Sequence, residues 1–87
     1  MPKIEVYTSA FCPYCVAAKQ FLQARELDYD EIRVDSGDGL RERMTERAGG
    51  RRTVPQIFID GMHVGGYDDL VAASRSGRLD ELLGDAR

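Results

Sequence analysis

Cys12 and Cys15 are the only cysteines in the 87-residue chain, with Pro13 and Tyr14 between them. Two thiols at this spacing can close into a disulfide when the first lies at a helix N-terminus and the second one turn in. The Cα separation there is close to the ~5.5 to 6 Å that disulfide geometry prefers. A pair held this way can open and close without rebuilding the fold. Three chemistries are compatible with it: a static disulfide, half of a zinc site, and thiol–disulfide exchange. Structural zinc usually takes four N or S ligands. The chain supplies two cysteines and one histidine, His63, so a complete site of that kind is not available and no metal is expected. Exchange needs only an accessible, readily ionised sulfur and a neighbour that resolves the mixed disulfide, and the sequence favours it.

The surrounding elements decide which thiol does what. Ile4 and Val6 alternate with Glu5 and Tyr7 as a first strand, bounded by Thr8-Ser9. A helix begins at Pro13, tolerated in the first turn because its missing N–H had no intrahelical acceptor to lose. Ala17, Ala18, Phe21 and Leu22 form its apolar face. The second strand is expected over Asp30–Asp35, with Ile32 and Val34 on one side. Gly37 and Gly39 break it, and Leu40, Met44 and Ala48 mark a second helix that Gly49-Gly50 ends. Residues 56–59 and 62–64 flank Asp60-Gly61, a hairpin signal. A third helix starts at Tyr67 or Asp68 and runs through Leu70, Val71 and Ala73 to Gly77, and Leu79, Leu82 and Leu83 indicate a short terminal helix.

This order, βαβαββα, implies a parallel first pair of strands joined by a right-handed crossover and an antiparallel hairpin. The expected fold is α/β, a mixed four-stranded sheet flanked by helices on both faces. Cys12 then lies at the C-terminal end of a strand and the N-terminus of a helix, where open α/β sheets bind ligands. Unpaired N–H groups and the helix dipole favour an anion there. Cys12 is therefore expected to ionise more readily than a free cysteine and to attack, while Cys15, a turn inside and more buried, stays protonated and resolves.

Composition bounds the reading. Eighty-seven residues, 43% apolar and 31% charged, make one domain, residues 1–87, with one modest core. No apolar stretch approaches the ~20 residues of a membrane span, and a strand pattern starts within the first six residues, so neither membrane insertion nor a signal peptide is expected. A cytoplasmic monomer is the default, and in a reducing cytosol a close cysteine pair is catalytic or metal-binding more often than a permanent staple. The formal net charge of −3 argues against nucleic acid as the main partner. Residues 41–52 depart from it, with five arginines against Glu42 and Glu46, a patch that a small anionic ligand could use.

Thr53-Val54-Pro55-Gln56 is the second informative segment. Proline at the start of an apparent strand is ordinarily an edge or entry residue. The alternative is a cis Val54–Pro55 bond, uncommon in general but able to expose the Val54 backbone beside the thiols, where an extended peptide could pair with it as an added strand.

With Cys-Pro-Tyr-Cys at 12–15, Thr-Val-Pro at 53–55 and Gly-Gly-Tyr-Asp-Asp at 65–69, the chain resembles the dithiol class of the glutaredoxin family over nearly its whole length. The resemblance implies a thioredoxin-like fold, glutathione as reductant, and disulfide-containing or glutathionylated proteins as substrates. It also implies roles: Cys12 as nucleophile, Cys15 as resolving thiol, Tyr14 lining the groove, and Thr53, Val54 and cis Pro55 as the wall that pairs with the cysteinyl backbone of glutathione. Gly66, Tyr67 and Asp68 would hold the γ-glutamyl end, and Arg41 the glycine carboxylate.

Each role has a duller counterpart: Asp68 as a helix N-cap, Gly65-Gly66 as a turn, Tyr14 as an exposed aromatic, Arg41 as a solvated helix residue. One position departs from the family pattern, since Ser9 stands where many members carry lysine. Carboxylate binding is then expected to lean on Arg41, or on Arg51 and Arg52. Two rivals stay open: a glutaredoxin-like donor reduced by thioredoxin reductase, and an iron–sulfur carrier bridged between two chains.

Overall fold

The computed structural model describes residues 2–84 and builds them around β1 (Ile4–Thr8). α1 (Pro13–Ala24) leads to β2 (Asp30–Arg33), and α2 (Leu40–Arg47) leads to the hairpin β3 (Gln56–Ile59) and β4 (Met62–Gly65). α3 (Tyr67–Ser76) and α4 (Arg78–Leu82) complete the order. The sheet runs β2-β1-β3-β4, with β1 and β2 parallel and the other two pairs antiparallel. This is the thioredoxin-like arrangement, a four-stranded mixed sheet flanked by helices. Asp60 and Gly61 turn the hairpin at φ 50° and 81°, the two positive values that a two-residue loop needs to match strand twist. The Asp60 carboxylate also accepts from the Lys3 N–H at 2.8 Å, tying the turn to the start of β1.

Alternation along the strands sends side chains to two faces, and each face has its own core. Ile4 and Val6 of β1 and Ile57 and Ile59 of β3 meet Ala18 and Leu22 of α1, Leu70 and Ala73 of α3, and Leu79 of α4. On the other face Tyr7 and Phe58 pack against Val34, Met44 and Ala48 under α2. Tyr7, read in the sequence as part of a polar alternation, is buried there because its ring meets Phe58 edge-on at 5.7 Å. Arg47 fastens α2 to this face. Its guanidinium forks onto Glu5 at 3.0 and 3.2 Å, donates to the Tyr7 hydroxyl at 2.9 Å and lies 4.2 Å over the Phe58 ring. The hydrogen bond from Arg47 holds the Glu5 carboxyl below its ordinary pKa.

β2 ends two residues short of the expected Asp35. The Val34 N–H still reaches the Thr8 carbonyl at 2.9 Å, but the Ser36 N–H turns back to the Arg33 carbonyl at 3.1 Å. Arg33 also forks onto Asp35 at 2.9 and 3.0 Å, which closes the chain into a bend. Asp35 then accepts from the Ala10 N–H at 3.1 Å, so the end of β2 anchors the loop that enters α1. Its carboxyl is drawn down to about 2, first by Arg33 and then by Ala10.

Candidate active site

Cys12 is the N-cap of α1. Its backbone is extended, at φ −113° and ψ 102°, and its carbonyl accepts the first helical bond, from Val16 at 3.1 Å. Its Sγ accepts from the Cys15 N–H at 3.2 Å, so sulfur does the work that a Ser or Asp oxygen does at other helix starts. No acidic residue occupies the first turn, and Pro13 fills a position where no N–H is needed. The Cys15 amide therefore faces the sulfur with no acidic residue in the same turn, an arrangement that suits a thiolate.

The two thiols differ in exposure. Both are free, Cys12 half-buried and Cys15 2% exposed. Burial pushes the Cys15 thiol up to about 12, and its hydrogen bond and proximity to Cys12 push the same way, against the Ser9 backbone and Lys19. Two of the upward influences come from Cys12 itself.

Two walls border a groove of about 320 Å³ that Cys12 adjoins at Val54. One is the Thr53–Pro55 segment that enters β3. Its Val54–Pro55 bond is cis, and the Val54 carbonyl lies 3.8 Å from Cys12 Sγ. The other is the N-terminus of α3, where Gly66, Tyr67 and Asp68 line the groove. Tyr14, 62% exposed, closes the near end with its ring 6.3 Å from that of Tyr67.

Of the residues singled out in the sequence, Tyr14, Thr53, Val54, Pro55, Gly66, Tyr67 and Asp68 all line this groove. Cys12 meets it through Val54, with Cys15 behind. Arg41 is not among the lining residues. It sits in the first turn of α2, and its Nη1 donates to the Arg52 carbonyl at 2.7 Å, which commits it to holding the loop. The arginine that reaches the groove is Arg51, paired with Asp69 at 2.9 Å.

Asp69 also corrects the capping assignment. Its carboxylate, at the third position of α3, accepts from the Gly66 N–H at 2.9 Å, and Arg51 holds its pKa below the ordinary value. Asp68 is thus free of the capping role and lies exposed at the lip of the groove. An acidic residue three positions after a helix cap is the signal that would have found Asp69. Among the described residues no helix is long and apolar enough to cross a membrane.

Comparison with known proteins adds to this geometry. The glutaredoxin family model matches residues 4–64. A glutaredoxin of Pseudomonas aeruginosa is 51% identical over 83 residues, covering 95% of this chain and 98% of that relative. Among solved structures, a glutaredoxin of Brucella melitensis superposes with a TM-score of 0.81 at 44% identity, covering 98% of this chain and 91% of its own. A buckwheat glutaredoxin–glutathione complex superposes with a TM-score of 0.83 at 30% identity, covering 93% of this chain and 76% of the other. On these matches the chain belongs to the glutaredoxin family and is a thiol–disulfide oxidoreductase.

Proposed function

We propose that the protein is a glutathione-dependent disulfide oxidoreductase that reduces protein disulfides and protein–glutathione mixed disulfides. The observation that carries the reading is the groove itself. It offers the Val54 backbone carbonyl on one side, in contact with a sulfur already accepting an amide hydrogen, and a helix N-terminus with an exposed carboxylate on the other. Glutathione presents a matching set: a peptide backbone at its cysteinyl centre, an ammonium and carboxylate at the γ-glutamyl end, and a second carboxylate at glycine. Val54 pairs with the backbone as an added strand. The α3 N-terminus takes the γ-glutamyl carboxylate and Asp68 its ammonium. Arg51, paired with Asp69 beside the α3 N-terminus, adds positive charge at that same end. The similar buckwheat structure, a glutaredoxin–glutathione complex, supports glutathione as the ligand.

Two reactions share one first step. With a glutathionylated protein, the Cys12 thiolate attacks the glutathionyl sulfur, the old S–S bond breaks, and the protein thiolate leaves and takes a proton. A second glutathione thiolate then attacks the glutathionyl sulfur on Cys12, releasing glutathione disulfide and regenerating the Cys12 thiolate. With a protein disulfide, Cys12 attacks one sulfur and the other departs as a thiolate. Cys15 gives up its proton and attacks Cys12 to release the second protein thiol, and two glutathiones reduce the resulting Cys12–Cys15 bond.

The test is NADPH consumption with a glutathione mixed disulfide, comparing glutathione plus glutathione reductase against thioredoxin reductase alone. Turnover is expected only with the first pair. Cys12→Ser is expected to abolish both reactions, and Cys15→Ser to abolish protein-disulfide reduction while sparing deglutathionylation. Equal turnover with thioredoxin reductase, or full protein-disulfide reduction by Cys15→Ser, would refute this assignment.

A further inference from the structure

Gln56 is one of two buried polar residues among those described, with none of its surface exposed, at the head of a strand whose other residues are Ile57, Phe58 and Ile59. A buried amide is costly unless both of its ends are paired. Here they are. Nε2 lies 3.3 Å from the Thr53 hydroxyl and Oε1 lies 2.7 Å from His63 Nε2. Nε2 donates to the Thr53 hydroxyl and Oε1 accepts from His63 when the imidazole proton is on Nε2, so this arrangement of the amide selects that tautomer.

The geometry of these bonds is directional. The contact with Thr53 spans Val54 and Pro55 and closes the segment that forms the first wall of the groove. The contact with His63 leads the other way, to the edge strand β4, where the His63 ring stacks on Phe58 at 5.0 Å and pairs with it across the hairpin. A continuous path thus runs from the sheet edge through His63 and Gln56 to Thr53 and the Val54 carbonyl, 3.8 Å from Cys12 Sγ. An apolar residue of the same length would fill the space at the head of β3 but would leave Thr53 unfastened. The polar side chain therefore specifies where the wall stands, a role that fully satisfied buried networks are suited to.

We propose that Gln56, oriented by His63, is the positioning residue of this wall, holding the Thr53–Val54 segment where the Val54 backbone can pair with a peptide bound at Cys12. Gln56 touches neither substrate nor sulfur and acts through Thr53. The proposal rests on the reading of the groove as the glutathione site.

A double-mutant cycle tests it. Steady-state kinetics are measured with a glutathionylated cysteine peptide, using glutathione and glutathione reductase, for wild type, Gln56→Met, Thr53→Val, the double variant, His63→Phe and His63→Gln. Gln56→Met and Thr53→Val are each expected to raise KM about fivefold, the effect of one lost internal hydrogen bond, with kcat within about twofold. The double variant should be no worse than either single one, because both remove the same bond. His63→Phe keeps the stacking on Phe58 and should also raise KM, while His63→Gln, which retains a polar partner, should restore it. Alkylation of Cys12 by iodoacetamide should keep its rate in Gln56→Met. An unchanged KM in Gln56→Met, or single effects that multiply in the double variant, would overturn the proposal. A wild-type protein that shows no saturable dependence on the glutathionylated peptide would overturn the glutathione reading, and the proposal with it.

Discussion

The two walls of the groove are held by different physics. The Thr53–Pro55 wall presents backbone and is braced from beneath by a neutral, fully buried amide. The α3 wall presents a helix N-terminus and is braced by a charged pair at the surface, Asp69 with Arg51, each with 47% of its side chain exposed. Neutral buried bonds have little dependence on salt or pH, whereas exposed charges are screened and titrate. On the proposed glutathione reading, one wall would serve as a fixed rail for a peptide backbone and the other as an electrostatic clamp for a charged end. Substitutions that separate bracing from contact show where each function resides.

The largest expected effect comes from striking the brace of the α3 wall at Gly65. Its φ of 120° lies where side chains are strained, and a Cβ there would meet the Asp69 carboxylate oxygen, with Cγ at 2.7 Å and Cβ at 2.8 Å. Gly65→Ala must both distort the backbone and displace the capping carboxylate, a combined cost of about 2 to 4 kcal/mol. For a domain of this size the melting temperature should fall by about 10 to 20 °C. Calorimetry reads it, and a fall of only a degree or two would mean that Asp69 can leave the cap without cost.

Gly66, one residue on, should behave in the opposite way. Its φ of −85° is open to any residue, and an added Cβ would lie 3.5 Å from both Arg51 Nη2 and the Pro55 carbonyl, ordinary contact distances. Gly66→Ala should fold with a melting temperature within about 2 °C of wild type, yet the methyl stands in the groove between the walls. Crowding of this kind costs about 1 to 2 kcal/mol, so the KM for a glutathione mixed disulfide should rise about tenfold. A KM unchanged in a well-folded variant would move the ligand away from Gly66.

The contrast between the walls also marks what the sequence could and could not convey. The rail was legible: Thr53-Val54-Pro55, the strand after it and the C-x-x-C helix are local signals whose meaning does not depend on distant residues. Most of the clamp was legible too, through Gly66, Tyr67 and Asp68. What escaped depends on where chain segments end up relative to one another. Asp68 and Asp69 are chemically identical neighbours, and only the start of α3 at Tyr67 places the second of them at the capping position. Arg41 and Arg51 are equivalent by charge, and only the fold of the loop after α2 places Arg51 at the groove and Arg41 on the Arg52 carbonyl. Gln56 reads as an ordinary polar residue at a strand start until Thr53 and His63 are seen on either side of it.

The smallest effect is the most specific to the comparison, because it titrates the carboxylate that braces one wall only. The Asp69 carboxyl is held below its ordinary value of 3.8, first by the Arg51 hydrogen bond and then by the Gly66 N–H. Its charged form is favoured by folding, so whatever the cap and ion pair contribute is complete above the unfolded value and lost as pH falls through the lowered one. Half-exposure and screening keep that contribution small, so a change in melting temperature is a poor reporter and the amide signals are a better one. In ¹H–¹⁵N spectra recorded from pH 6 downward, the Gly66 amide should shift with a midpoint below 3.8, since its acceptor is being protonated. The Thr53 and Val54 amides should follow His63, whose pKa burial lowers, and not Asp69, and Asp69→Asn should remove the Gly66 transition while leaving the Thr53 and Val54 response in place. A common midpoint for the amides of both walls would mean that the clamp and the rail share one brace, and the distinction between them would fall.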